Sequence, residues 1–291
     1  MKAQTIQQEL DHARDSGPVK DIVIPPCPQL LVQLQDALAV ADPDPQRVAD
    51  IASSDVAMAA ALIKMANSSL YARREPVNSV VQAIAMLGVR PTATLLTGFL
   101  LRHTIRIDPN LIEHFWESST RRSQAMAHIA RQLYGVDVEV AKTCGLFFHV
   151  GIPVMLQGVR GYSSTMVEAM ARQDRTFVQT ENAVHRTDHA VVGAIVAKTW
   201  HLPWVVTLAV RLHHDFSILD DASVAAPVRQ LVAIAAIADH LVARHEGVQD
   251  QPEWQQYAPE CLAYLQIGGA EVEAWVDELY PVFQGVVVSG S

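Results

Sequence analysis

A chain of 291 residues, half of them hydrophobic, holds enough apolar material for one large core or two modest ones. Aromatic residues make up only 6%, and a core built largely from Ala, Val and Leu favours close helix packing over a sheet sandwich. The formal net charge of −9 argues against nucleic acid or an anionic membrane as partner, since both call for a basic face; Arg73-Arg74 and Arg121-Arg122 are the local basic clusters of note. The cysteines Cys27, Cys144 and Cys261 are too far apart for a disulfide framework or a zinc knuckle, which fits a reducing cytoplasm. The opening MKAQTIQQELDHARDSG lacks the apolar stretch of a signal peptide. The longest unbroken apolar runs, such as Val56–Ile63, fall far short of the roughly 20 residues of a membrane span. The expectation is a soluble, cytoplasmic protein.

Residues 1–18 are polar and end in Ser16-Gly17-Pro18, which reads as a loose or short helical arm. Pro25, Pro26 and Pro28 forbid a helix before Cys27, and Leu30, Leu31, Leu34 and Leu38 mark the one that follows. Asp44 caps the next helix, with Pro45 at its first position and Val48, Ile51 and Ala52 as its buried face. Asp55 caps a helix through Met65, and the aperiodic stretch Asn67–Asn78 reads as a loop. Asn78 or Ser79 caps a helix over Val80–Leu87 that Gly88 stops, and Pro91 opens another through about Arg102. After a connector at Ile105–Pro109, helices are expected over 111–134, 138–149, 163–173, 176–186, 188–200, 204–214 and 226–245, with Asp188 capping the fifth. A final amphipathic pair covers 253–265 and 270–281. No strand alternation or internal repeat is visible, so the fold class is all-α.

The stretch Asp55–Gly88 carries the most specific signal. Ser54-Asp55, Met65-Ala66-Asn67-Ser68, Gln82-Ala83-Ile84 and Leu87-Gly88 resemble the recurring phrases of the HDOD domain, a helical output module of bacterial signalling. The likeness extends over roughly 19–240 through Phe115-Trp116, Gly145-Leu146, His189 with Gly193, Leu202-Pro203, His213-His214 and Ala238-Asp239. It implies an N-terminal arm (1–18), an N-terminal helical subdomain (19–106), a degenerate HD-like bundle (107–245) meeting it near residue 107, and an unmatched C-terminal helical extension (246–291).

HDOD domains resemble HD phosphohydrolases that have lost their metal site. In such an alignment on Gly145-Leu146 and Gly151-Ile152, the His-Asp dipeptide falls on Phe148-His149, the early His on Ser118 and a frequent lysine on Ile152. A phenyl ring cannot ligate a metal, and the bridging carboxylate has become an imidazole. His189, His213, His214 and Asp239 survive. They either hold helices together as buried hydrogen-bonded residues or form a single weak metal site, with His149 as a substitute ligand. The pair His185 and His189 has metal-binding spacing, but an Asp188 cap between them would break it. No GxSxG, HExxH, Walker or GxGxxG motif is present, and Cys144 in CGLFF reads as an inert core thiol.

The resemblance therefore implies a non-enzymatic signalling protein that binds a protein partner, in a pathway linked to two-component systems or cyclic-di-GMP, or a small regulatory ligand. The second reading is a metal-dependent HD phosphohydrolase with divergent ligands. No receiver, kinase or GGDEF-like segment is visible, so the partner is expected on another chain. Candidate contact residues are Asn67, Tyr71, Arg73 and Arg74, because Tyr and Arg anchor interfaces and Arg grips carboxylates or phosphates bidentately; a solvated loop with Tyr71 tucked inward explains them equally. No cofactor is expected beyond that single weak metal ion.

Overall fold

The protein is described by a computed structural model covering residues 2–68, 76–106, 114–172, 174–248 and 251–285, and among them every regular element is a helix. In chain order these are α1 (Lys2–Asp15), α2 (Gln29–Leu38), α3 (Pro45–Ser53), α4 (Val56–Ala66), α5 (Val80–Leu87), α6 (Val89–Thr104), α7 (Phe115–Gln132), α8 (Val138–Phe147), α9 (Gly151–Gly158), α10 (Tyr162–Ala171), α11 (Phe177–His185), α12 (His189–Thr199), α13 (Trp204–Leu212), a 3-10 turn (Phe216–Asp220), α14 (Ala226–His245), α15 (Pro252–Leu265) and α16 (Gly269–Gln284).

Local chemistry sets most of the starts. Side-chain oxygens of Asp44, Asp55, Ser79, Asp137 and Asp188 each accept a backbone N–H of the first turn they precede, satisfying donors that no helical carbonyl reaches. Gly88 has φ +89°, a value that suits glycine, and there α5 and α6 turn through 117°. Helices α2 to α6 pack on one another, and α6 continues the core onto α8.

The remaining helices gather around α14. It packs against α7, α8, α13, α15, α16 and the 3-10 turn, and its residues Leu231 through Ala235 are almost fully buried. Two stretches, Val138–Gly158 and Ala226–His245, are long and apolar enough to cross a membrane by length and composition, which the run-length argument overlooked because polar residues interrupt them. In the fold 61% and 56% of those windows is buried, so much of their apolar surface faces other helices.

Three features depart from the sequence reading. The N-terminal arm is helical, the second of its two readings, but it runs for 14 residues and is docked on α12. It buries Ile6, Leu10 and Ala13 and pairs Glu9 with Arg211 at 2.6 Å and Asp11 with Lys198. Helix α9 lies outside the expected helices; its Gly151 and Pro153 both sit in the first turn, where no intrahelical N–H bond is required of proline. The 3-10 turn also went unread. The expected joint near residue 107 lies outside the described residues. Trp200 is fully buried; its indole N–H donates to the Pro25 carbonyl at 2.9 Å and its ring meets Phe147 edge-on.

Candidate functional site

Four imidazoles converge where α8, α9, α12 and α13 meet. His149 lies in the turn between α8 and α9, His189 is the first residue of α12, and His213 and His214 follow the last turn of α13. One ring nitrogen from each lies within 4.8 Å of the others. His189 Nε2 is 3.2 Å from His149 Nδ1, 3.3 Å from His213 Nε2 and 3.1 Å from His214 Nε2. His189 and His213 are buried, while His149 and His214 keep a small exposed edge.

Backbone geometry makes this convergence possible. A Cβ built on Gly151 would stand 2.0 Å from the His189 carbonyl oxygen and 2.8 Å from the Gly193 nitrogen. Only glycine lets α9 touch the start of α12, and that contact places His149 beside His189. Asp188 caps α12 through the Val191 N–H at 2.9 Å and so fixes His189 on the first turn. The same cap ends the His185–His189 pairing: His185 closes α11 and meets the Thr165 hydroxyl at 2.9 Å, away from the cluster.

Each ring is held from behind. His189 Nδ1 donates to Glu181 at 2.7 Å, and Glu181, fully buried on α11, also accepts the Tyr162 hydroxyl and the His189 backbone N–H. His213 Nδ1 lies 2.7 Å from the Val210 carbonyl, which only accepts, so that nitrogen carries the proton. His214 Nδ1 faces both oxygens of Glu253, at 2.8 and 2.9 Å. His149 Nε2 faces Asp239 at 3.3 Å. Outer partners of this kind fix the tautomer and orientation of an imidazole and leave its inward nitrogen as a lone pair.

The electrostatics follow from this shell. Burial, and after it the Arg122 guanidinium, holds the His149 imidazole down at about 3. Burial and the neighbouring imidazoles hold His213 well below its ordinary value. Burial works against protonation of His214 too, but the Glu253 carboxylate outweighs it and raises that group. Burial opposes ionisation of Asp239, yet Arg122 and His149 prevail and hold it below the usual carboxylate range.

Asp239, expected among the ligands, is one ring removed from the centre. One of its oxygens accepts from Arg122 Nε and the other faces His149. Helix α7 thus sends Arg122 toward the site, whereas Ser118, aligned with the early histidine, meets Glu246 instead. Arg122 is buried and is no part of a basic surface cluster. Phe148 is fully buried with its ring tilted against His213 at 5.1 Å between centroids. His189, His213 and His214 are brought together, and His149 joins them.

Sequence reasoning missed Glu181, Arg122 and Glu253, which hold His189, Asp239 and His214 in turn. Beside His213, His214 and Asp239 lies a cavity of about 170 Å³, lined also by Glu253, Trp254 and Tyr257 from α15. Asn67 is occupied locally: its amide donates to the Val77 carbonyl and accepts the Val77 N–H, both at 2.7 Å, tying together the two ends of the loop. Tyr71, Arg73 and Arg74 lie outside the described residues.

The chain resembles known proteins along most of its length. A protein from Treponema pallidum (strain Nichols), named only as uncharacterized, is 23% identical over 194 residues, 66% of this chain and 38% of that protein. The chain therefore spans well under half of that relative. Among solved structures, an HDOD domain protein of unknown function from Geobacter sulfurreducens superposes with a TM-score of 0.67 at 20% identity, covering 96% of this chain and 97% of that one. A "putative signal transduction protein" from Marinobacter aquaeolei VT8 gives 0.74 at 17% identity, covering 98% of this chain and 65% of its own. A "putative phosphohydrolase" from Shewanella amazonensis SB2B gives 0.71 at 18%, covering 96% and 95%. At these identities the structures establish the shared helical fold. The HDOD domain model matches residues 24–216, about two thirds of the sequence, and on that match the chain belongs to the HDOD domain family.

Proposed function

We propose that this protein is a non-enzymatic signalling module that acts by binding, with a protein partner or a small regulatory ligand as its target. The observation that supports this reading is the state of Asp239. Two-metal phosphoester hydrolysis needs a carboxylate that bridges both ions and a water they activate together. Here both oxygens of Asp239 are engaged, by Arg122 and His149, and the four atoms facing the centre are all imidazole nitrogens. Phe148 stands where the resemblance puts an active enzyme's dipeptide histidine, and no carboxylate oxygen belongs to the four-atom cluster. The neighbouring structures named for signal transduction and for phosphohydrolysis are compatible with either ancestry; the ligand set favours the former role.

The segment carrying Tyr71, Arg73 and Arg74 is the contact region we assign to that partner, on the chemistry of those side chains. A link to two-component or cyclic-di-GMP pathways belongs to the same reading and rests on family membership. The test of non-catalysis is direct. Purified full-length protein, supplied in turn with Mn²⁺, Mg²⁺ and Fe²⁺, is expected to leave cyclic-di-GMP, nucleotides and a chromogenic phosphodiester unhydrolysed. Turnover that disappears in a His213→Ala variant overturns the proposal.

A further inference from the structure

The geometry points to a mononuclear site for a divalent transition-metal ion, held by His149, His189, His213 and His214 and locked by Glu253 from the C-terminal helices; we propose that this ion is structural or regulatory, not hydrolytic. Three observations carry it independently of whether the protein has an enzymatic role.

The first is spacing. A tetrahedral ion with metal–nitrogen bonds of about 2.0–2.1 Å sets its ligand atoms about 3.3–3.4 Å apart, whereas adjacent ligands of a square plane lie about 2.8–3.0 Å apart. Of the separations about His189 Nε2, those of 3.2 and 3.3 Å lie closer to the tetrahedral value, and that of 3.1 Å falls between the two.

The second is proton placement. His213 Nδ1 meets a carbonyl, so its inward nitrogen is bare in the neutral ring. His189 and His214 direct Nδ1 at carboxylates, and His149 directs Nε2 at one, so their inward nitrogens are bare by the same argument. Four lone pairs aimed at one point repel unless a cation sits among them. A proton on any one inward nitrogen relieves only the contacts of that ring and leaves the others facing.

The third is charge. Glu181, Glu253 and Asp239 stand behind the rings with three formal negative charges, against one positive charge from Arg122. A divalent ion among neutral imidazoles neutralises the remaining two. Imidazole sites suit zinc, copper, iron and nickel, and tetrahedral spacing favours zinc. Four protein ligands complete a tetrahedron and leave no position for a reactive water, the mark of a structural zinc site.

Glu253 gives the site its wider consequence. It lies in the first turn of α15, downstream of the family match at 24–216, and it grips His214 with both oxygens. Metal occupancy and docking of the C-terminal helices are therefore coupled through one hydrogen-bonded pair.

Metal-stripped full-length protein is titrated with Co²⁺ and followed by its visible spectrum, with Zn²⁺ displacement and elemental analysis for stoichiometry. One equivalent is expected, with the intense visible bands of four-coordinate cobalt, which zinc then bleaches. Zinc at a hundredfold excess over its Kd is expected to raise Tm by about 5–10 °C. Glu253→Gln, on a partly exposed side chain, should keep the helical circular dichroism and weaken binding by about 10–100-fold. His149→Ala is a second variant at a partly exposed position and should abolish the four-coordinate spectrum. The pale spectrum of six-coordinate cobalt, two equivalents bound, binding below a tenth of an equivalent, or affinities unchanged in both folded variants would each overturn the site. Hydrolysis is not read in this titration, so its failure and the failure of the non-enzymatic proposal are separate results.

Discussion

Replacing Gly151 by Ala probes the contact on which the site depends. The added methyl would lie 2.0 Å from the His189 carbonyl oxygen and 2.8 Å from the Gly193 nitrogen. Side-chain contacts below about 3.0 Å are not tolerated in packed interiors, so α9 and α12 must part by about 1 Å. The obstruction is helix backbone, which no rotamer change relieves. Overpacking of this kind costs about 1–3 kcal/mol, and an unyielding backbone places Gly151→Ala near 3 kcal/mol. At about 2–4 °C per kcal/mol for a chain of this size, Tm falls by about 6–12 °C, read by circular dichroism on metal-free protein. Gly269→Ala is the control, because nothing lies within 4 Å of a methyl there and its backbone φ is ordinary; it should be neutral or stabilising by up to about 1 kcal/mol. Equal melting of Gly151→Ala and the parent would refute the argument that this close approach builds the site.

Two other perturbations follow from the same structure. Glu181→Ala removes a fully buried acceptor of three hydrogen bonds, stranding the Tyr162 hydroxyl and His189 Nδ1; a loss of about 2–4 kcal/mol is expected in urea unfolding, and an unchanged midpoint contradicts the role given to Glu181. Reversing Arg73 and Arg74 to Glu should shift that midpoint by less than about 0.5 kcal/mol while ending capture of a partner by the immobilised chain from its native extract. Capture undiminished in the folded double variant removes that segment from the proposed contact surface.

Much of the fold was legible because its helix starts carry local chemistry. Asp44, Asp55, Ser79 and Asp188 cap the helices they announce, and the family phrases between Ser54 and Gly88 coincide with α4, α5 and the turns beside them. Helix α9 escaped because its decisive residue, Gly151, reports a tertiary contact; read locally, a glycine before Ile-Pro looks like a break. The docking of α1 escaped for a like reason, since a polar segment with three buried apolar positions shows its stripe only against α12.

The site divides along the same line. His189, His213 and His214 were recognisable from the family pattern, and His149 from the displaced dipeptide. Their outer partners were not. Glu181, Arg122 and Glu253 come from α11, α7 and α15, separated in sequence from the rings or carboxylate they hold by 8, 117 and 39 positions, and no short motif joins them. Asp239 looked like a ligand because sequence shows its neighbour in the Ala-Asp step and hides the guanidinium that occupies it.

On the two proposals above, this centre takes one ion and lacks the second that hydrolysis requires. The most direct measurement is anomalous diffraction at the zinc edge from crystals of the full chain grown with Zn²⁺. A single peak is expected about 2.0–2.1 Å from one nitrogen each of His149, His189, His213 and His214, with Asp239 still paired to Arg122. Two peaks about 3.5–4 Å apart with Asp239 swung between them, or no peak among the four rings, would contradict it.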